Sequence, residues 1–397
     1  MKALRFERSI PRFAAARLAG SRKPGRGAAF GPLDLDTAAT PPALPGPGWV
    51  RVRPRLAGIC GSDLATVDGR SSRYFEPIVS FPFVPGHEVV GDLDDGSRVV
   101  IEPVLGCAAR SISPVCVACA AGDLGRCERI AFGVLKPGLQ SGFCCETGGG
   151  WSTSMVAAPS QLHAVPDELS DEDAVMVEPA ACAVHAALSA GALDGAVVAV
   201  IGAGTLGLLT IAAMTQFNAP AHLIVAAKHP EQRAHALRFG ATNVVQTGGL
   251  ARAIRLTTGS LAIGDGGIDR LTGGADVVFD CVGTSASIAE ALRVVRPGGR
   301  VVLVGMPATV KLDLTPLWHR EIALVGAYAY GVEPLARGVR TFDLAFALTA
   351  ALGLGSLVSA LYPLDQYEDA IAHAAAAGAR GAVKIAFDLR HEKERNR

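Results

Sequence analysis

Neither sign of charge is in excess in this sequence, because 37 Lys and Arg balance 37 Asp and Glu. Without a basic field, nucleic acid and anionic membrane surfaces are poor partners, and a small molecule is the better expectation. No internal repeat and no low-complexity segment interrupts the chain. The stretch from Met1 to Gly20 lacks the unbroken apolar run of a secretory signal, being punctuated by Lys2, Arg5, Glu7, Arg8 and Arg12, so a cytoplasmic protein is expected. One charge-free run, Gly195 to Met214, has the length of a membrane span. It is broken by Gly202-Ala203-Gly204, which argues for a buried strand, a turn and a buried helix.

What is present points to a globular chain of two parts. Its 397 residues exceed the size at which one core usually stops growing, and 46 Gly with 24 Pro imply many turns. Residues 20–48 are rich in turn formers and read as loop. Residues 49–53 alternate apolar and polar side chains as a half-buried strand does, and 96–101 read as a second strand. The pattern changes at Glu178-Pro179, where Pro suits the first turn of a helix. Apolar strands then alternate with helices: 196–201, a helix to about Phe217, 222–226, helix 231–239, 243–246, 276–281, helix 287–295, 300–305 and 321–326. Continuous apolar strands separated by helices are the mark of a parallel sheet covered on both faces, here a doubly wound α/β domain. The expected division is a mainly-β domain over 1–178, a dinucleotide-binding domain over 179–326, and a return to the first over 327–397, with 382–387 as a strand. The charged tail, 390–397, reads as a solvated end.

Gly202-Ala203-Gly204-Thr205-Leu206-Gly207 follows an apolar strand and opens a helix, the context in which this glycine pattern binds a dinucleotide pyrophosphate. Near the end of the next strand, where an NAD site offers a carboxylate to the ribose, the chain has Val225-Ala226-Ala227-Lys228-His229-Pro230. The missing acid and the two basic side chains favour NADP(H) over NAD(H).

Two groups of metal-type residues lie in the β-rich half. The scattered one comprises Cys60, His87, Glu88 and Glu178. Thiolate, imidazole and carboxylate make a tetrahedral zinc set with one exchangeable position. Spacing alone does not join residues so far apart, and singly they also read as a buried cysteine, a hydrogen-bonded histidine and solvated acids. The compact group is Cys107, Cys116, Cys119 and Cys127, whose CxxC pair suggests a closed thiolate site, with a metal-free loop or disulfides as the other readings. Cys144 and Cys145 read as loop residues.

Taken in order, Gly58-Ile59-Cys60-Gly61-Ser62-Asp63, Pro85-Gly86-His87-Glu88, the cysteine-rich lobe, Glu178-Pro179, the glycine motif, and the segments 276–283 and 296–305 resemble the zinc-containing medium-chain dehydrogenases. The resemblance covers about residues 49 to 330 and is to the polyol and threonine dehydrogenase branch. It implies a GroES-like mainly-β catalytic domain and a Rossmann domain. It also implies catalytic zinc on Cys60 and His87, with Glu88 and Glu178 as further ligands and Cys182 as an alternative to Glu178. Val282, Gly283, Val304 and Gly305 are implied to border the coenzyme, and Ser62 to carry the alcohol proton. Where many relatives complete the relay with a histidine, this chain has Ala65. The family's structural-zinc lobe matches in its last three cysteines, but the first gap is longer here, as if 108–114 were inserted, which leaves the place of Cys107 open. The implied activity is hydride transfer between NADP(H) or NAD(H) and a small alcohol or carbonyl. The other readings are a zinc-free quinone or enoyl reductase and a silent NADP(H)-binding protein. Segment 132–151 is expected to shape the substrate pocket. A homo-oligomer, dimer or tetramer, is implied, with 321–330 near the subunit contact.

Overall fold

The computed structural model describes residues 1–264 and 270–392, so the expectation for the tail falls, over 393–397, outside the described residues. The chain forms two compact units, one of Met1–Glu178, Tyr330–Val332 and Ala345–Arg397, the other of Pro179–Ala329 and Glu333–Leu344. Among the described residues no helix is long and apolar enough to cross a membrane.

The first unit is organised by the nine-residue strand Val50–Gly58. Its first half pairs antiparallel with Met155–Ala157, and farther along it pairs with Val89–Asp92 and, near Gly58, with Lys384–Asp388. The sheet continues from Val89–Asp92 to Arg98–Ile101 and Leu162–Ala164, and from Lys384–Asp388 to Val358–Tyr362. Alternation at Val50 and Val52 puts Val52 against Val89, Val99, Ile101 and Met155 in one apolar cluster. A larger cluster joins Leu4, Phe6, Phe83, Trp151, Ile385 and Phe387. Phe6 stacks on Phe83 at 5.1 Å, and Trp151 meets Phe387 edge-on at 5.2 Å. Each such side chain contributes about 1.5–3 kcal/mol on burial. Residues from both ends of the chain therefore lock one core.

The segment read as loop, 20–48, is better ordered than its composition suggests. The helix Ile10–Arg22, Ala-rich with Pro11 in its first turn, runs into it, and Leu33–Asp36 pairs with Ala3–Phe6. The glycines there serve close packing. Asp68, fully buried, accepts hydrogen bonds from the Gly25 and Gly27 amides, and a Cβ on Gly20 or Gly27 would run into it. The start of the tail is likewise held: Arg390 donates to Asp388 at 2.7 Å, and Glu392 pairs with Lys2 at 2.8 Å.

The second unit carries a six-stranded sheet in the order Asn243–Val245, His222–Ala226, Val197–Ile201, Ala275–Asp280, Val295–Leu303, Ala323–Gly326. All of its pairings are parallel. The first strand of the unit, Val197–Ile201, lies in the middle, so the order reverses beside it and opens a crevice at the strands' carboxyl ends. Of the expected return over 327–397, the first unit takes Tyr330–Val332 and Ala345–Arg397, while residues 333–344 pack with this unit. Their anchor is Glu333, 2 % exposed, which takes a hydrogen bond from Thr341 at 2.6 Å and pairs with His185 Nδ1 at 2.8 Å.

Candidate active site

The glycine motif in the second unit has the geometry its sequence requires. Gly202 follows Val197–Ile201 at φ +89°, a conformation that favours glycine, and a Cβ there would stand 2.5 Å from Val282. A Cβ on Gly207 would overlap the Gly202 carbonyl, which lets the helix Thr205–Phe217 close onto the strand. Gly204, the N-cap, has open space where its side chain would be. This leaves room for a phosphate at the helix N-terminus, whose first residues are Thr205 and Leu206. Val282 and Gly283 leave the neighbouring strand Ala275–Asp280, and a Cβ on Gly283 or Gly305 would meet the facing backbone at 2.8 or 2.6 Å. Val304 and Gly305 both donate N–H to the Asp280 carbonyl at 2.9 Å. Lys228 and His229 end the turn after His222–Ala226, Lys228 exposed and His229 capping the helix Pro230–Arg238. Arg233, not singled out from the sequence, folds back to donate to the Lys228 carbonyl at 3.0 Å and adds a third basic group.

In the first unit three members of the scattered group are drawn together from two loops at strand ends. Cys60 N-caps the short helix Gly61–Val67, and its amide is held by Asp63 Oδ2 at 3.0 Å. Gly86, at φ +94°, lies where a Cβ would collide with Trp151, and that tight turn delivers His87 and Glu88 to the start of Val89–Asp92. Donor atoms of Cys60, His87 and Glu88 all lie within 4.8 Å of one another. Glu178 is outside that trio, in the first turn of the helix Val177–Ser189, with Oε1 accepting from the Tyr330 hydroxyl at 3.1 Å. Burial first, and the Glu88 charge in addition, push the Glu178 carboxyl up to about 7 against the opposing pull of His87, Lys384 and Tyr330. Cys182 is not in the trio either. Ser62 is half-buried, and its carbonyl accepts from Thr66 Oγ1 at 2.9 Å.

Two groups missed in the sequence support this cluster. Asp63, 1 % exposed, faces His87 with Oδ1 3.5 Å from Nδ1, and neither atom has a hydrogen bond. Burial disfavours a charged imidazole, but Asp63 and Cys60 outweigh it and raise the His87 pKa well above the ordinary histidine value. Lys384, fully buried like Glu88, forms an ion pair with it, and Gly58 makes the room: a Cβ there would overlap the Glu88 carboxylate. Burial lowers the Lys384 pKa, and Glu88, Cys60 and Glu178 more than restore it. The signal for Lys384 was one charge inside the otherwise apolar run 382–387. Three buried carboxyl side chains, Asp63, Glu88 and Glu178, thus lie close to Cys60, His87 and Lys384. Buried like charges are costly unless neutralised, and soft, borderline and hard donors together suit a zinc ion.

The four cysteines of the lobe also converge, Cys107 included. All are free thiols, which removes the disulfide reading. Four sulfurs around zinc stand about 3.8 Å apart when each is about 2.3 Å from the ion. Cys107 and Cys127 Sγ are 3.7 Å apart. Amides of Cys116, Cys119 and Arg129 point at Cys107, Cys116 and Cys127 sulfurs at 3.4 to 3.5 Å, and the Cys119 amide leads in lowering the Cys116 thiol to about 6. The inserted stretch has its own support: Arg110, fully buried, donates to the carbonyls of Leu105, Phe132, Leu135, Lys136 and Gly138. In segment 132–151 the residues do different things. Phe143 lies 6.0 Å from His87, whereas Trp151 is core and Cys144 is fully buried.

Comparison with known proteins accounts for both halves. Residues 46–167 match the model of the alcohol dehydrogenase GroES-like domain, and 205–343 that of the zinc-binding dehydrogenase. The L-idonate 5-dehydrogenase of Vitis vinifera is 27 % identical over 355 residues, covering 87 % of this chain and 89 % of that protein. The sorbitol dehydrogenase of Arabidopsis thaliana is 29 % identical over 359 residues with the same coverage. The alcohol dehydrogenase TADH from Thermus sp. ATN1 shares the fold at a TM-score of 0.71 and 23 % identity, over 98 % of this chain and 100 % of that one. With the glycine crevice in one unit and the thiolate, imidazole and carboxylate cluster in the other, the chain belongs to the zinc-binding, medium-chain alcohol dehydrogenases, in their polyol dehydrogenase branch, and is an oxidoreductase that moves hydride between a nicotinamide coenzyme and an alcohol or carbonyl.

Proposed function

We propose that the chain interconverts a secondary hydroxyl of a polyol or sugar acid and the matching ketone, with NADP(H) as preferred coenzyme, at a zinc ion held by Cys60, His87, Glu88 and Glu178. A second zinc ion closes the lobe on Cys107, Cys116, Cys119 and Cys127. The convergence of Cys60, His87 and Glu88 donor atoms within 4.8 Å of one another carries this reading. It argues against a zinc-free reductase, which has no use for such a set. Curated relatives named for sorbitol, L-idonate and D-xylulose support the substrate class.

When bound, zinc supplies Lewis-acid polarisation of a substrate oxygen, and the coenzyme supplies the hydride chemistry. The protein's part is placement and proton handling. Cys60 and His87 would fix the site, with Asp63 facing the His87 ring at 3.5 Å, the side from which a carboxylate orients a ligating histidine. Lys384 pairs with Glu88, so that of the two carboxylates that would serve as oxygen donors Glu88 is the one held by a buried cation. Phe143 beside His87 keeps an apolar wall that excludes water. Ser62, two residues after Cys60, would take the alcohol proton, and Ala65 offers no side chain to pass it on. Gly202, Gly204 and Gly207 let the pyrophosphate approach the backbone. Lys228 and His229, joined by Arg233, meet a 2′-phosphate where no carboxylate competes.

The test is a panel of polyols, sugar acids, their ketones, simple alcohols and aldehydes assayed with both coenzymes, alongside metal analysis. About two zinc ions per chain and turnover of polyols are expected. Replacing Lys228 and His229 by Ala should weaken NADP(H) about 10- to 100-fold relative to NAD(H), the size of one or two charge-assisted hydrogen bonds. Full turnover by protein stripped of metal at Cys60 and His87 would overturn the reading.

A further inference from the structure

Tyr330 belongs to neither group of metal-type residues, yet it lies on a line of contact that joins them inside the first unit. Its side chain is 2 % exposed, and its hydroxyl donates to Glu178 Oε1 at 3.1 Å. The two residues after it are pressed against the cysteine lobe. A Cβ on Gly331 would stand 2.5 Å from the Gly122 carbonyl oxygen and 3.1 Å from Asp123 Cα, and one on Gly122 would stand 2.5 Å from Val332 Cγ2. Gly122 and Asp123 are themselves tied into the CxxC turn, through Gly122 N–H to the Cys119 carbonyl at 3.1 Å and Asp123 N–H to the Ala118 carbonyl at 2.9 Å. The path therefore runs from Cys119 through Gly122 to Gly331 and Val332, and from Tyr330 to Glu178.

We propose that Tyr330 is a positioning residue through which the four-cysteine lobe sets the posture of the Glu178 carboxylate. A carboxylate has two oxygens and rotates freely unless one is held. Tyr330 holds Oε1, and a tyrosine buried this deeply is only as fixed as the backbone that carries it. That backbone rests on the lobe at a glycine-to-glycine approach with no space for a side chain. When the lobe keeps the shape that four thiolates around one ion impose, Gly331 is seated and the hydroxyl meets Glu178 at one angle. When the lobe loosens, the seat goes and Glu178 turns. The inference rests on the assignment of Glu178 to the ion's surroundings made above.

The experiment uses the full chain with zinc kept in the lobe and cobalt(II) exchanged into the Cys60 and His87 site. The visible cobalt–thiolate spectrum and the rate of cobalt loss to EDTA are read for the parent, Tyr330→Phe and Gly331→Ala. Tyr330→Phe keeps the ring and removes only the hydroxyl; Gly331→Ala touches neither Tyr330's hydroxyl nor any donor. Both variants are expected to shift the spectrum and to speed cobalt loss about tenfold, the usual effect of losing a partner behind a metal ligand, with lobe zinc unchanged. Parent-like spectra and rates in Tyr330→Phe would overturn the positioning role. A shift in Tyr330→Phe with a parent-like Gly331→Ala would overturn the link to the lobe. A parent protein that takes up no cobalt outside the lobe would instead refute the metal reading on which the inference stands.

Discussion

Cys107 and Cys127 are 20 residues apart in the chain, whereas the lysine beside the other metal-type cluster lies 325 residues from the strand end it touches, next to Cys60. The first cluster is a local object: turns, a CxxC and amides aimed at sulfur build it from one segment. The second is a long-range object, assembled where the sheet of the first unit brings Gly58, Glu88 and Lys384 side by side. A local cluster stabilises the segment that contains it. A distributed one is stabilised by the whole unit, and is free to hold donors that compete, which is what an exchangeable coordination position needs.

Substitutions can sharpen that contrast. His87→Ala should cost about a thousandfold in turnover, the equivalent of several kcal/mol of lost charge stabilisation, while the lobe keeps its zinc; metal analysis beside initial rates checks both halves. Next comes Lys384→Met, which strands Glu88 as an uncompensated buried charge and should destabilise the first unit by about 3–5 kcal/mol in urea unfolding. Adding Glu88→Gln to it should return much of the loss, and a double variant as unstable as the single one would show that the ion pair is not the cause. In the lobe, Arg110→Met leaves five carbonyl partners without their donor and should cost about 3 kcal/mol, seen as earlier unfolding and faster lobe-zinc loss at nearly unchanged Michaelis constant. If Arg110→Met abolished turnover with metal in place, the division between a stability cluster and a reaction cluster would fail. Smallest is Ser62→Ala, expected to lower kcat about a hundredfold with zinc content intact, in the range for a lost proton-transfer group.

What could be read from the chain beforehand follows the same division. The parallel sheet was visible because its strands are continuous apolar runs, and 222–226 falls on the strand His222–Ala226. The glycine motif was visible because Gly202 and Gly207 answer steric needs that no other residue meets, while Gly204 leaves the helix N-terminus open. Cys60, His87 and Glu88 were legible only as members of an ordered series, since nothing in their spacing says that their two segments meet. Lys384 and Asp63 were not legible as site residues: each acts through a partner that only the tertiary pairing supplies. The segment 20–48 was misread because its glycines look like turn signals, whereas Gly20, Gly25 and Gly27 crowd around the buried Asp68. Segment 132–151 was read as one piece, whereas its last residue, Trp151, lies in the core, an aromatic after a glycine run being equally suited to a pocket rim and to a core.

The ion pair between Glu88 and Lys384 has a consequence for how the molecule is made. A ribosome delivers roughly 5–20 residues each second, so the lysine emerges on the order of 15–65 s after the strand end near Cys60. Until then the nascent first unit has Cys60, His87 and Glu88 but not the strand that brings their countercharge. Final assembly of that centre therefore waits for the strand Lys384–Asp388, and a chain stopped short of residue 384 should fill its cysteine lobe while its other centre stays unfinished.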